Sequence, residues 1–363
     1  MASDDLTPNS INDLTPNPIN DLVKPGILSP DPNNKHAYVW LFMKGDSYLP
    51  GIFTSVFSVS RTNPNADLVV MVTNDISQAA RKILKKVATH LYDIPYISFE
   101  SKRMKTDRQQ KMYENWIATS YSKWNALALP YDKIILVDGD TIHTENTDEL
   151  FDLQAPACPF ASPFIKPMGY IESHYTDLPS GRDGYPLHNT QVPTNLILDT
   201  LNLGGVVLTS TPVLIEPSVD DFYAYQQMVK SMQPFGFPKC HSMLDEQSIA
   251  YFYASVKKQS FTTIHQRYNY YPWKDKFLFH GDVPRIIHFF SDTKPWSIKF
   301  DAYPDVICWY KMAALGIETV KIKPNDIALT QENVESAKKA TDTYIKKFIR
   351  VVDVTSILGK LKR

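Results

Sequence analysis

Lys133-Ile134-Ile135-Leu136-Val137-Asp138-Gly139-Asp140 sets an apolar strand directly against two carboxylates. A continuous apolar run of this kind suits a strand covered on both faces. In extended chain, residues i and i+2 project to the same side, so Asp138 and Asp140 can converge on one point. Gly139 between them carries no side chain and leaves room for a close approach to the backbone. Two carboxylates at a strand end form a natural divalent-metal site, where the ion can bridge the oxygens of a diphosphate. The same tripeptide also reads as an Asp-Gly turn with solvated carboxylates, and the rest of the chain decides between the two.

Working outward, the preceding hundred or so residues alternate between strand and helix patterns. Ala37 to Met43 and Asp67 to Val72 are buried-strand runs, and Tyr96 to Phe99 reads as a short third strand. Between them, Asp46 to Ser60 and Ile76 to Leu91 carry apolar residues at helical spacing, and residues 107–129 form a long helical stretch. This rhythm predicts an α/β fold: a mostly parallel central sheet flanked by helices, with ligands bound at the strand C-ends. Beyond Asp140 the pattern becomes irregular. Cys158 to Pro193 reads as a Pro-rich loop of the kind that serves as a lid. Val206 to Leu208 and Arg285 to Phe290 are strand candidates; Asp220 to Met232, Asp245 to Val256 and Gln331 to Val351 are helical.

Composition narrows the function classes. The 363 residues are 43% apolar, with 38 Lys+Arg against 39 Asp+Glu, so no global basic field draws the chain to nucleic acid or membrane. Three scattered cysteines fit neither a disulfide framework nor a zinc site, and no apolar run reaches the length of a membrane span. A cytoplasmic protein is expected. The near-zero charge is an average: residues 1–34 hold five Asp against one Lys, while residues 331–363 hold eight basic and four acidic residues. The first stretch repeats Asp-Leu-Thr-Pro-Asn and is too poor in large apolar groups to offset its ordering entropy. The expected organisation is therefore a disordered leader over 1–35, one domain over 36–310 and a helical extension over 311–363.

A second apolar strand supplies His288, followed by Lys294. An imidazole added to two carboxylates gives the mixed nitrogen–oxygen set that suits Mn²⁺, and Lys294 can place a compact positive charge on a phosphate. A histidine on an apolar strand also reads as a hydrogen-bonded core residue. No G-x-G-x-x-G or G-x-x-x-x-G-K-[ST] block is present, which disfavours a dinucleotide or P-loop site.

Lys123, the run Tyr131–Asp140 and Asn146-Thr147-Asp148-Glu149-Leu150-Phe151 resemble glycosyltransferase family 8, which includes glycogenin and galactinol synthase. Asn202-Leu203-Gly204-Gly205-Val206-Val207, Asp245-Glu246-Gln247-Ser248-Ile249 and Ile287-His288-Phe289-Phe290-Ser291-Asp292-Thr293-Lys294-Pro295-Trp296 follow in the family's order. The resemblance, over residues 37–310, implies a GT-A fold and a retaining hexosyltransferase that takes glucose or galactose from a UDP-sugar. It assigns Asp138, Asp140 and His288 to the metal, Mn²⁺ with Mg²⁺ as the alternative. Lys123 and Lys294 match its diphosphate-contacting lysines. Leu41 and Tyr48 fall at its uracil-binding positions, and Asn202 and Gly204 lie beside the donor sugar. Asp245, Glu246 and Gln247 match the acidic-Gln block near the anomeric carbon, and Gly139 and Ser291 lie against the diphosphate.

The chemistry supports that pattern independently. A UDP leaving group departs with growing negative charge, which a cation and two lysines meet where it develops. The sugar carbon becomes cationic, so carboxylate and amide oxygens beside it are stabilising. The chain departs from the family at Met43-Lys44-Gly45-Asp46, which lacks the Thr-Asn pair of glycogenins, at Ser291 in place of a glycine, and at Tyr251 in place of an asparagine. The expected partners are a UDP-hexose donor and a carbohydrate, polyol or protein acceptor; a homodimer is left open. Two other readings stand beside this one: a non-catalytic nucleotide-sugar or glycan-binding protein, and a self-glycosylating primer using one of Tyr268, Tyr270 and Tyr271, which cluster with Trp273.

Overall fold

The computed structural model describes residues 22–26, 33–104, 106–160, 186–203, 205–209, 211–236, 245–271, 284–290, 293–299 and 304–339. The first half alternates strand and helix: β1 (His36–Phe42), α1 (Leu49–Ser60), β2 (Asp67–Val72), α2 (Gln78–Leu84), β3 (His90–Asp93), α3 (Asp107–Tyr113) and β4 (Lys133–Leu136). A 3-10 helical run, Ile117–Ala128, leads into β4. Then come β5 (Thr141–His143), β6 (Ala157–Cys158), β7 (Gln191–Val192), α4 (Thr194–Asn202), β8 (Val213–Ile215) and α5 (Val219–Ser231). The last elements are α6 (Asp245–Tyr251), β9 (Phe261–Thr263), β10 (Ile286–His288), α7 (Pro304–Val320) and α8 (Gln331–Lys339).

Eight strands form one sheet in the order β3-β2-β1-β4-β8-β6-β9-β7, while β10 pairs with β5 alone. The β3-β2-β1-β4 half is parallel throughout, and β8 joins β4 antiparallel. Strand succession runs outward from β1 to β3 and then returns to β4 on the other side of β1. The C-ends of β1 and β4 therefore flank the point where the order reverses, which is where ligands bind in open α/β sheets.

Alternation along β1 builds two core layers. Tyr38, Trp40 and Phe42 face the layer of α1, α2, α7 and α8, whereas Ala37 and Val39 face the layer of the 3-10 run, α4, α5 and α6. Both faces are apolar because both are covered, as the uninterrupted runs in β1 and β2 predict. Two polar groups inside the first layer are paired: Trp40 Nε1 donates to Ser55 Oγ at 2.9 Å, and Tyr38 Oη donates to Asp148 at 2.9 Å.

Several expected elements change. The helix predicted to Leu91 ends at Leu84, and its last residues become β3, so the third strand is His90–Asp93 and residues 96–99 are not a strand. The stretch 107–129 divides into α3 and the 3-10 run, and Val206–Leu208 makes only an isolated bridge from Leu208 to Phe160. Within the Pro-rich stretch, Gln191–Val192 is a strand on β9; residues 161–185 of the proposed lid lie outside the described residues. So do residues 1–21, 27–32 and 340–363 of the leader and tail. In the leader, Val23 lies against α5, its backbone exchanging two 3.0 Å bonds with the Gln226 side chain, and Gly26 lies against Asp93 and Ile94. Helix α7 crosses the boundary drawn at residues 310 and 311, and Val306, Trp309, Met312, Ala313 and Ile317 belong to the same core as β1.

Candidate active site

The apolar stretch of β4 carries the chain to Asp138-Gly139-Asp140, which turns against the first turn of α1. The close approach that Gly139 permits comes from that helix. A Cβ on Gly139 would stand 2.4 Å from Ile52 Cδ1, and one on Gly51 would stand 2.7 Å from the Gly139 carbonyl oxygen. Two glycines thus let α1 seat directly on the turn between the carboxylates. The second arm follows from the β5–β10 pairing, which sets His288 opposite Thr141, the residue after Asp140. Phe289 N–H donates to the Asp140 carbonyl at 2.8 Å and closes that ladder over the site.

One ligand atom each from Asp138, Asp140 and His288 lies within 4.8 Å of the others. His288 Nε2 is 3.3 Å from Asp140 Oδ1 and 3.9 Å from Asp138 Oδ2. Lys294 Nζ sits 2.6 Å from Asp140 Oδ2, which Tyr48 Oη also contacts at 3.3 Å. Burial alone would raise the Asp140 carboxyl, but His288 and Lys294 overcome it and hold the group well below the usual carboxylate range. Burial, with Asp140 and Asp138 behind it, pushes the Tyr48 phenol up, so that Tyr48 stays a neutral donor. Two hard oxygens and an imidazole on one point fit a divalent cation, and Asp140 keeps Oδ1 on the cluster side while Oδ2 takes Lys294 and Tyr48.

Lys123, from the 3-10 run, bridges the cluster to α6: its Nζ is 2.9 Å from Asp138 Oδ1 and 3.7 Å from Glu246 Oε1. Burial opposes its charge, yet Asp138, Glu246 and Asp245 outweigh burial and keep it protonated. Burial and then the Glu246 charge push the Asp245 carboxyl well above its ordinary range, with Lys123 offsetting part of the shift. Burial raises Glu246 as well, against the pull of Lys123. Asp245 Oδ2 is buried with no hydrogen-bond donor among the described residues.

The structure therefore brings together Asp138, Gly139, Asp140, His288, Lys294, Lys123, Tyr48 and Glu246, with Asp245 next in line. Gln247 is engaged elsewhere: its Oε1 accepts from Val207 N–H at 2.8 Å and its Nε2 donates to the Leu208 carbonyl at 3.0 Å. Leu41, at the end of β1, packs into the second core layer, and Asn202 is exposed at the last position of α4. Gly204, Ser291 and Trp273 lie outside the described residues. Tyr268 and Tyr270 are buried, the former bonded to Glu149 at 2.8 Å. Sequence reading missed Asn269, which is fully buried and sits 2.8 Å from His288 Nδ1. Its position inside a run of tyrosines gave no sign of that contact. Trp296 is also part of the setting, packed edge-on against Tyr48 at 4.8 Å between ring centres.

No helix among the described residues is long and apolar enough to cross a membrane. The model of the family described as glycosyl transferase family 8 matches residues 41–162. Uncharacterized protein R707 of Acanthamoeba polyphaga mimivirus is 36% identical over 126 residues, 34% of this chain and 42% of that protein. UDP-glucuronate:xylan alpha-glucuronosyltransferase 1 of Arabidopsis thaliana is 27% identical over 121 residues, 33% of this chain and 17% of that protein. The match thus spans less than half the length of either curated relative. Among solved structures, the WbbM bifunctional glycosyltransferase aligns over 87% of this chain and 53% of its own, at 17% identity and a TM-score of 0.48. The matched block runs from the end of β1 past β6 and contains Lys123, Asp138 and Asp140, and over those residues the chain is similar to glycosyl transferase family 8.

Proposed function

We propose that this chain is a metal-dependent, retaining hexosyltransferase that moves glucose or galactose from a UDP-sugar to a hydroxyl acceptor. The observation that carries the reading is the convergence of Asp138, Asp140 and His288 at the sheet's reversal point, flanked by the buried ammonium group of Lys123 and the partly buried one of Lys294. Mn²⁺, or Mg²⁺, held by those three residues would supply Lewis-acid charge to the diphosphate. Lys294 and Lys123 add fixed positive charge on either side of the pair of carboxylates, where the departing UDP gathers negative charge. The bond from the sugar C1 to the β-phosphate oxygen breaks with its electron pair leaving on UDP. The acceptor oxygen then bonds to C1 on the same face, and its proton passes to the departing phosphate.

Lys123 Nζ contacts both Asp138 and Glu246, and Glu246, with Asp245 next to it in α6, suits a role beside the cationic C1. Tyr48 Oη holds Asp140 Oδ2 alongside Lys294 and so orients that carboxylate; Leu41, Asn202, Gly204 and Ser291 are proposed around the nucleotide and sugar from their places in the family pattern. Cys158 and Cys308 are buried free thiols, in keeping with a reducing, cytoplasmic setting.

One observation favours the second reading, a nucleotide-sugar-binding protein without turnover. Both ends of the Gln247 carboxamide are taken by backbone, so no free amide oxygen meets the sugar. Self-glycosylation is left with Tyr271, since Tyr268 and Tyr270 are buried. A panel of UDP-sugars incubated with Mn²⁺ and the full chain, followed by UDP release and intact mass, separates these readings. UDP release with added acceptor supports the transferase. Binding without release across the acceptor panel supports the binding protein, and mass increments of one hexose support self-glycosylation.

A further inference from the structure

His288 presents two ring nitrogens, and only Nε2 faces the carboxylates. An imidazole can offer a metal a lone pair on Nε2 only when the remaining proton sits on Nδ1. What holds it there can be followed atom by atom from a group whose polarity is not in doubt. The Pro159 carbonyl oxygen can only accept, and the Thr209 hydroxyl donates to it at 3.0 Å. With its proton committed, Thr209 Oγ1 accepts from Asn269 Nδ2 at 2.8 Å. A second acceptor lies on that same side, the Tyr271 hydroxyl oxygen at 2.9 Å. The amide nitrogen of Asn269 is therefore turned away from the histidine, and its Oδ1 faces His288 Nδ1 at 2.8 Å. An oxygen there requires a proton on Nδ1, which leaves Nε2, beside Asp138 and Asp140, as the nitrogen that can give its lone pair to a cation. Asn269 is itself held: its backbone oxygen accepts from Gln266 Nε2 at 2.6 Å, and the residue is fully buried.

We infer that Asn269 is a positioning residue that fixes the His288 ring, in tautomer and in orientation, as a ready nitrogen ligand for the divalent cation. The inference rests on the metal-site reading above for its purpose, but not for its geometry. Partners of this type tune metal affinity by about 10- to 100-fold when removed. The residue acts from outside the ligand set, through a chain that joins Pro159, Thr209, Asn269 and His288 across four separate segments.

The test uses the full chain with Mn²⁺ alone as the probe, free Mn²⁺ being read by electron paramagnetic resonance. Asn269→Leu keeps the volume but removes the acceptor, and Mn²⁺ affinity should fall by about 10- to 100-fold. Asn269→Asp still accepts from Nδ1–H and should stay within about threefold of wild type, a rescue that a packing role would not produce. Thr209→Val removes the far anchor of the amide and should weaken binding by several-fold. Wild-type affinity in a folded Asn269→Leu chain overturns the inference, as does an equal loss in Asn269→Asp. Should Asn269→Leu fail to fold, the Asn269→Asp and Thr209→Val pair decides alone.

A second readout needs no metal. In chain labelled with ¹⁵N-histidine, the His288 signal, identified by its loss in His288→Ala, should show an exchange-protected proton on Nδ1. An unprotonated Nδ1 overturns the inference. Absence of Mn²⁺ binding by the wild-type chain would instead refute the metal-site reading, and the Nδ1 proton would still decide the role of Asn269.

Discussion

Gly51→Ala tests the packing that seats α1 on the Asp138–Asp140 turn. Ordinary helix reasoning makes the change favourable, because alanine exceeds glycine in helix propensity by about 0.8–1 kcal/mol in a helix interior. The structure reverses the sign. An added Cβ would stand 2.5 Å from Trp296 Cη2 and 2.7 Å from the Gly139 carbonyl oxygen. Trp296 is packed against Tyr48 and Trp309, at 4.8 and 5.5 Å between ring centres, and turning its ring disturbs that packing. The Gly139 oxygen is backbone between the two carboxylates and cannot yield without moving them. Overpacking of this kind costs about 2 kcal/mol, so after the propensity gain the variant should be less stable by about 1 kcal/mol. Urea denaturation should show the midpoint lowered at an unchanged slope. Mn²⁺ affinity should fall with it, because the displaced atoms link Asp138 to Asp140. A variant as stable as wild type, or more so, would refute the packing account.

Two further changes probe charges buried around this frame. Asp305, in the first turn of α7, is 4% exposed, and burial raises its carboxyl to about 6. A folded value above the unfolded one near 3.9 means that its stabilising effect is complete below about pH 4 and lost as pH rises through 6, by about 3 kcal/mol. Asp305→Asn should therefore flatten the stability–pH curve between about pH 4 and 6, as followed by urea denaturation across that range. Persistence of the slope would assign it to another group. Lys123→Met removes the cation shared by Asp138 and Glu246 and should cost about 3 kcal/mol, the scale for stranding one side of a buried ion pair. A loss below about 1 kcal/mol would show that the ammonium is not neutralising those carboxylates.

Much of the parallel half was legible because its strands are covered on both faces. Apolar runs with no polar alternation located β1, β2 and β4 to within a residue or two. The third strand was misplaced since His90–Asp93 is short and half polar, and Leu91 also satisfied the helical spacing of the preceding turn. The antiparallel partner β8, only three residues long, carries no pattern that distinguishes it from its surroundings. Helix α7 has core-facing residues at helical intervals, Val306, Trp309, Ala313 and Ile317, and could have been recognised from them. At the site, Asp138 and Asp140 were legible because the constraint is local, two residues apart at a strand end. His288 was a candidate from its apolar strand and the mixed ligand set, and the family pattern favoured it over a core histidine, as its link to the carboxylates runs through the pairing of β5 with β10. Asn269 was not legible: its contact with His288 spans 19 positions and its anchor on Thr209 spans 60. The occupied carboxamide of Gln247 was equally hidden, because its partners are backbone atoms 39 and 40 positions away.

The central claim is that Asp138, Asp140 and His288 form one metal-dependent site for transfer from a UDP-sugar. It is tested most directly by UDP release from UDP-glucose and UDP-galactose with Mn²⁺, comparing the wild-type chain with Asp140→Ala. The account predicts release by wild type that ceases on chelation, returns when Mn²⁺ is restored, and falls by at least about 100-fold in a folded Asp140→Ala chain, the scale of a lost electrostatic contribution to the transition state. Release that persists in Asp140→Ala, or that ignores the chelator, would contradict it.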